Sequence, residues 1–155
     1  MSTVEIGNKI KNFQLSATGE TSIKLTELKG KNVVLYFYPK DNTPGCTKES
    51  EGFRDNIKKF AKLNTVILGV SRDSINSHEK FKTKLDLPFD LISDNEEKLC
   101  QQFDVIKEKN MYGKKVMGIE RSTFLIDKKG VLQKEWRKVK VDGHVEEVLQ
   151  AVKDL

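Results

Sequence analysis

Residues 33–46 read Val33-Val34-Leu35-Tyr36-Phe37-Tyr38-Pro39-Lys40-Asp41-Asn42-Thr43-Pro44-Gly45-Cys46. The six apolar residues that open this stretch do not alternate with polar ones, so they suit a strand covered on both faces. Pro39 stops the strand, because proline cannot donate to a sheet ladder. Thr43 and Pro44 then read as a helix N-cap and first helical residue, where the N–H that proline lacks is not needed. Cys46 falls in the first turn of that helix, where unpaired backbone N–H groups and the helix dipole favour negative charge. A thiol at such a place has reason to ionise, and the thiolate is its reactive form. Strand ends of this kind are also where sites form in α/β proteins. Cys46 is the candidate nucleophile.

Outward from this stretch, the chain continues to alternate strand and helix. Upstream, Phe13 and Leu15, then Ile23 and Leu25, alternate with polar neighbours around the turn Ala17-Thr18-Gly19-Glu20, which reads as an N-terminal β-hairpin. Thr26 to Gly30 makes one helical turn into the buried strand of residues 32–38. Downstream, Phe53, Ile57, Phe60 and Leu63 predict one helix from Pro44 to Lys62. Val66 to Val70 is a second buried strand. Ile75, His78, Phe81 and Leu85 mark a helix bounded by Pro88, and Phe89 to Ser93 is a short strand. Asp94 suits an N-cap for a helix through Leu99 and Phe103. Lys107 to Gly118 is polar and without period, so it reads as a surface loop. Arg121 to Asp127 and Val131 to Trp136 form a hairpin about the turn Lys128-Lys129-Gly130. Val145, Val148, Leu149 and Val152 give a closing helix. The order implies an α/β fold with a central sheet covered by helices on both faces. No linker, repeat or low-complexity segment divides residues 1–155, which are read as a single domain.

Composition narrows the function classes. The chain has 155 residues, 37% hydrophobic and 33% charged, which fits a globular protein with a real core. Twenty-eight Lys and Arg against 23 Asp and Glu leave a mild positive charge, dispersed rather than striped, so no nucleic-acid partner is indicated. Met1 to Gln14 lacks an apolar signal core, and no run approaches a membrane span. Two cysteines 54 positions apart make no disulfide framework, and a reducing cytoplasm is the expected location. His78 and His144 stand far from each other and from both cysteines, so no metal-ligand spacing is present.

Pro39-x-x-x-Thr43-x-x-Cys46 resembles the active-site signature of the peroxiredoxins. The longer run Pro39 to Glu49, with Phe53-Arg54-Asp55 after it, is similar to their bacterioferritin-comigratory (PrxQ-type) branch. So are Ile92-Ser93-Asp94, Met111-Tyr112-Gly113-Lys114-Lys115, Gly118-Ile119-Glu120-Arg121-Ser122-Thr123-Phe124-Leu125-Ile126-Asp127 and Gly143-His144. The resemblance covers nearly the whole chain. It implies a thioredoxin-like fold with a central mixed sheet, and a thiol peroxidase that reduces hydrogen peroxide and organic hydroperoxides through a Cys46 sulfenic acid. Thioredoxin or another thiol is the implied reductant, a monomer the implied state, and no metal or organic cofactor is called for.

The resemblance also assigns roles residue by residue. Thr43, by itself a plain N-cap, is placed on the bound peroxide. Pro39 shields and shapes the pocket, and Gly45 would let substrate approach the backbone closely. Arg121, alone a surface charge, becomes the cation that favours the thiolate and holds the peroxide, with Glu49 fixing its guanidinium. Arg54 and Asp55 support local ion pairs. The branch often has a resolving cysteine five residues after the nucleophile, but Glu51 stands there, and residues 74–85 contain no cysteine. Cys100 is the remaining candidate, and its plain reading is a buried structural thiol. Other classes stay open at this point. His78 or His144 would serve a Cys–His hydrolase, a thioredoxin-like reductase would want a cysteine where Glu49 stands, and a redox-sensing or chaperone-like module needs only the fold.

Overall fold

The computed structural model describes residues 4–155, so the first three residues of the stretch examined for a signal core lie outside the described residues. Near the N-terminus, β1 (Gln14–Ala17) and β2 (Thr21–Lys24) form the expected hairpin, in register from Gln14↔Lys24 to Ala17↔Thr21. A single 3-10 turn (Leu25–Leu28) leads into β3 (Asn32–Phe37), followed by α1 (Pro44–Asp55) and α2 (Ile57–Lys62). Next come β4 (Thr65–Ser71), α3 (Ile75–Leu85), β5 (Leu91–Ser93) and α4 (Lys98–Gln102). A hairpin of β6 (Ile106–Met111) and β7 (Lys114–Ile119) precedes β8 (Ser122–Ile126), β9 (Leu132–Trp136) and α5 (His144–Lys153).

The main sheet has the order β2-β1-β5-β4-β3-β8-β9. Its centre is parallel, β3 beside β4 and β4 beside β5, while β1, β8 and β9 join antiparallel. This is the central sheet flanked by helices that the chain order implied, with the mixed pairing that the resemblance implied. The unbroken apolar run of β3 is buried on both faces because successive side chains enter different cores. Val33, Leu35 and Phe37 join Leu99 and Cys100 of α4, Phe103 just after it, and the N-terminal residues Ile10 and Phe13. Val34, Tyr36 and Tyr38 join Cys46 and Phe53 of α1, Phe60 of α2, Phe81 of α3 and Val148 of α5.

Two expectations are corrected. The helix predicted over Pro44–Lys62 is broken at Asn56, whose backbone leaves the helical region (φ −108°, ψ 8°). Its side-chain amide donates to the Gly52 carbonyl at 2.8 Å, so the asparagine competes with the helix for backbone bonds. Lys107 to Gly118 is a β-hairpin rather than a loop. Tyr112 and Gly113 both have positive φ (53° and 78°), the geometry of a two-residue hairpin turn. A smaller difference lies at α4, where the geometric cap is Glu97. Asp94 still receives the N–H groups of Leu99 and Cys100 at 3.1 and 2.7 Å, and so caps the helix from further away.

Candidate active site

Cys46 lies in the first turn of α1 and is fully buried. The first helical bond there runs from the Thr47 N–H to the Thr43 carbonyl at 2.8 Å, so the N–H groups of Gly45 and Cys46 precede the helical ladder. They present partial positive charge where an anion would form. Arg121, immediately before β8, sends Nη2 to 3.3 Å from the Cys46 sulfur and Nη1 to 2.7 Å from Glu49 Oε1. One planar guanidinium therefore bridges thiol and carboxylate, which a lysine point charge could not do in the same fixed geometry. Burial alone would lower the Arg121 pKa, but Glu49 and Cys46 outweigh it and hold the cation above its ordinary value.

Glu49 is wholly buried. Its carboxyl is pushed up to about 7 by burial, against the opposing pull of Arg121. Its Oε2 has no hydrogen-bond partner among the described residues. At Gly45 the space a side chain would take belongs to the arginine. An added Cβ would come within 3.1 Å of Arg121 Nη2. Thr43 caps α1 through its carbonyl rather than its side chain, and its hydroxyl donates to the Lys40 carbonyl at 2.9 Å. The lone pairs of that hydroxyl remain available to accept a proton from a ligand. Pro39 heads this loop, half-buried.

The remaining sequence candidates lie apart. Glu51 is partly exposed on α1 with a carboxylate oxygen 3.8 Å from Arg54 Nη2, and Arg54 also pairs with Asp55 at 2.9 Å. Cys100 is buried in the core on the opposite face of the sheet from Cys46. Burial and then Asp94 raise its thiol pKa, which keeps it protonated. Neither histidine touches the cysteine among the described residues. His78 contacts Asp41 and the Ile92 carbonyl, and His144 contacts Thr123 and Glu147. Burial lowers the His144 pKa, with Glu147 opposing. No Cys–His dyad is formed among the described residues.

The loop and the second hairpin add residues that sequence reasoning passed over. Asp41 takes the Tyr38 hydroxyl at 2.6 Å, and burial holds that phenol well above its ordinary pKa, so it stays a donor. Asp41, Asp73 and His78 also bring donor atoms within 4.8 Å of one another, a grouping invisible in the linear spacing. Each is already engaged with protein partners. Lys109 on β6 lies across Gly118, where an added Cβ would sit 3.3 Å from the lysine Cδ. Burial and then Arg121 hold its ammonium below the usual lysine range, with Cys46 pulling the other way. A loop reading of residues 107–118 left no reason to aim this side chain anywhere.

A buried thiol held against an arginine at the end of a helix-flanked mixed sheet is the class of site at which a thiolate can form and react. Comparison with known proteins narrows the class. Residues 6–135 match the AhpC/TSA family. Peroxiredoxin Bcp of Bacillus subtilis (strain 168) is 57% identical over 153 residues, covering 99% of this chain and 98% of that one. A structure of Xanthomonas campestris bacterioferritin comigratory protein, solved in work on its alkyl peroxide reduction, is 48% identical with a TM-score of 0.90, covering 99% and 98% of the two chains. A PrxQ mutant from Xylella fastidiosa is 46% identical with a TM-score of 0.94, also covering 99% and 98%. The chain belongs to the AhpC/TSA family, as a peroxiredoxin of the Bcp/PrxQ branch.

Proposed function

We propose that Cys46 is the peroxide-reacting thiol and that its oxidised form is reduced by an external thiol rather than by Cys100. The observation that carries this is the 3.3 Å contact between Arg121 Nη2 and the Cys46 sulfur, with the same guanidinium fixed by Glu49. The thiolate sulfur attacks the terminal oxygen of a hydroperoxide and the O–O bond breaks. The departing alkoxide takes a proton and leaves as alcohol, or as water from hydrogen peroxide, and Cys46 becomes a sulfenic acid. Negative charge moves from sulfur to the leaving oxygen. Arg121 and the free N–H groups of the first turn lie where they would stabilise both ends of that transfer. Thr43 accepts a hydrogen bond from the hydroxyl of the bound peroxide, and Pro39 limits water in the pocket.

Reduction then takes two thiols. One condenses with the sulfenic acid to a mixed disulfide and releases water, and the second displaces Cys46 as thiol. Because Cys46 is buried, a protein such as thioredoxin reaches it only after the first turn of α1 opens locally. A small thiol needs less opening. The X. campestris relative named for alkyl peroxide reduction supports organic hydroperoxides as substrates alongside hydrogen peroxide.

The test is peroxide consumption by the reduced protein with thioredoxin and its reductase, or with glutathione, as donor. Wild type is expected to consume both hydrogen peroxide and an alkyl hydroperoxide. Cys46→Ser is expected to be inactive while retaining its circular dichroism spectrum, since serine supplies no thiolate. Substantial residual turnover in that variant would remove Cys46 from the reaction.

A further inference from the structure

We propose that the buried pair His78–Asp41 holds the Pro39–Thr43 loop in the shape that receives a peroxide, making His78 a positioning residue for the reaction. The inference rests on the peroxidase reading above and adds a residue to it.

The His78 side chain is wholly buried, between α3 and the sheet. Its Nε2 lies 2.9 Å from the Ile92 carbonyl, and a carbonyl only accepts, so Nε2 carries hydrogen. Its Nδ1 lies 2.7 Å from Asp41 Oδ2. That carboxylate already accepts the Ser77 hydroxyl at 2.8 Å on Oδ2 and the Tyr38 hydroxyl at 2.6 Å on Oδ1. The Nδ1–Oδ2 contact holds one further hydrogen, so ring and carboxyl are bonded to each other out of water. Removing one partner of such a buried pair leaves polar atoms of the other unsatisfied, which is costly.

The pair bears on the reaction through the main chain. Asp41 lies two residues after Pro39 and two before Thr43. Its own N–H donates to Asp73 Oδ2 at 2.9 Å, so α3 and the segment before it grip this residue by backbone and side chain together. Asn42 follows with φ 62°, a left-handed conformation that persists only where the surroundings enforce it. Thr43 then turns its hydroxyl back to Lys40. Arg121 is anchored independently, by Glu49 on α1. The site therefore has two separately fastened halves. Arg121 and Glu49 set the nucleophile, and the Pro39–Thr43 loop sets the peroxide, the two meeting where the Thr43 carbonyl caps α1. His78 belongs only to the second.

The separation gives a readout that general loss of stability would not mimic. Two second-order rates at Cys46 are measured on the same reduced protein, one with hydrogen peroxide and one with iodoacetamide, which needs the thiolate but not the peroxide pocket. His78→Leu and Asp41→Asn are expected to lower the peroxide rate at least tenfold while the alkylation rate stays within about twofold. His78→Asn keeps an N–H toward Asp41 and is expected to fall between wild type and His78→Leu; it decides the matter if the leucine variant does not fold. A ratio of the two rates equal to that of wild type in all folded variants overturns the positioning role and leaves the peroxidase reading intact. A wild type that alkylates at Cys46 but ignores peroxide would overturn both.

Discussion

Glu49 is pulled in two directions. Burial favours its neutral form, the guanidinium of Arg121 favours its charged one, and the balance leaves the carboxyl raised to about 7 from an ordinary value of 4.5. Between those two values the folded protein holds a proton that the unfolded chain has released. The stabilisation is thus complete below pH 4.5 and is lost as pH rises through 7. Glu49→Gln, which cannot titrate, is expected to escape this loss. Urea unfolding at pH 5 and pH 8 should show wild type losing stability relative to the variant by roughly 3 kcal/mol at most, as the shift converts at about 1.4 kcal/mol per unit. An unchanged difference between the two pH values would mean that Glu49 does not titrate there. Arg121→Met removes the only cation hydrogen-bonded to the sulfur among the described residues. Loss of one such donor costs about 3 kcal/mol, so the peroxide rate is expected to fall by about a hundredfold, measured by stopped flow. Iodoacetamide alkylation at neutral pH should slow in parallel, in contrast to the His78 variants.

At the scale of elements, the site depends on a void that glycine leaves in β4. Gly69 pairs with Tyr36 on β3 and Leu91 on β5, and an added Cβ would come within 2.8 Å of the Tyr36 ring and 2.7 Å of Leu91. The Tyr36 ring fills that space, stacks on Phe53 at 4.7 Å and meets the Ser50 hydroxyl at 2.8 Å. Both partners belong to α1, so this tyrosine seats the helix that carries Cys46. Gly69→Ala is expected to destabilise the fold by about 1–3 kcal/mol in chemical denaturation, as overpacking of a filled core does. The elements that sequence reasoning recovered are those with an apolar signal: β3, β4, β5, the helices, the N-terminal hairpin and the β8–β9 hairpin. The β6–β7 hairpin was illegible because its exposed strands carry lysine, glutamate and asparagine, and its pairing is set by the turn at Tyr112-Gly113. The break at Asn56 was hidden because apolar spacing continues across it. In the site, Cys46, Thr43, Glu49 and Arg121 were legible through a motif. Asp41 and His78 stand 37 positions apart and meet only through the packing of α3 on the sheet. His78 was visible on the apolar face of its helix, but nothing in the linear sequence named its partner.

At the scale of the molecule, the sheet itself separates the two sulfurs. Cys46 packs with α1 and α3 on one face, and Cys100 packs with Phe103 and Val105 on the other. A disulfide needs Cα atoms within about 7 Å, so joining them would require dismantling a core rather than fraying a helix end. Oxidation of the reduced wild type with one equivalent of peroxide is therefore expected to yield a sulfenic acid that dimedone traps. Mass analysis after thiol blocking should show no two-hydrogen loss linking Cys46 to Cys100. Cys100→Ala should retain turnover with an external thiol at a modest cost in stability, and a Cys46–Cys100 peptide would reverse this assignment. Excess peroxide should carry the stranded sulfenic acid on to sulfinic acid.

The wall between the two cysteines also fixes how the enzyme responds to its surroundings. On the proposed scheme, in which Cys100 does not resolve Cys46, each oxidised copy is rescued or lost according to which collides with it first, a thiol or a second peroxide. The fraction permanently inactivated in each turnover is then set by the ratio of those two solutes, and the loss accumulates one molecule at a time.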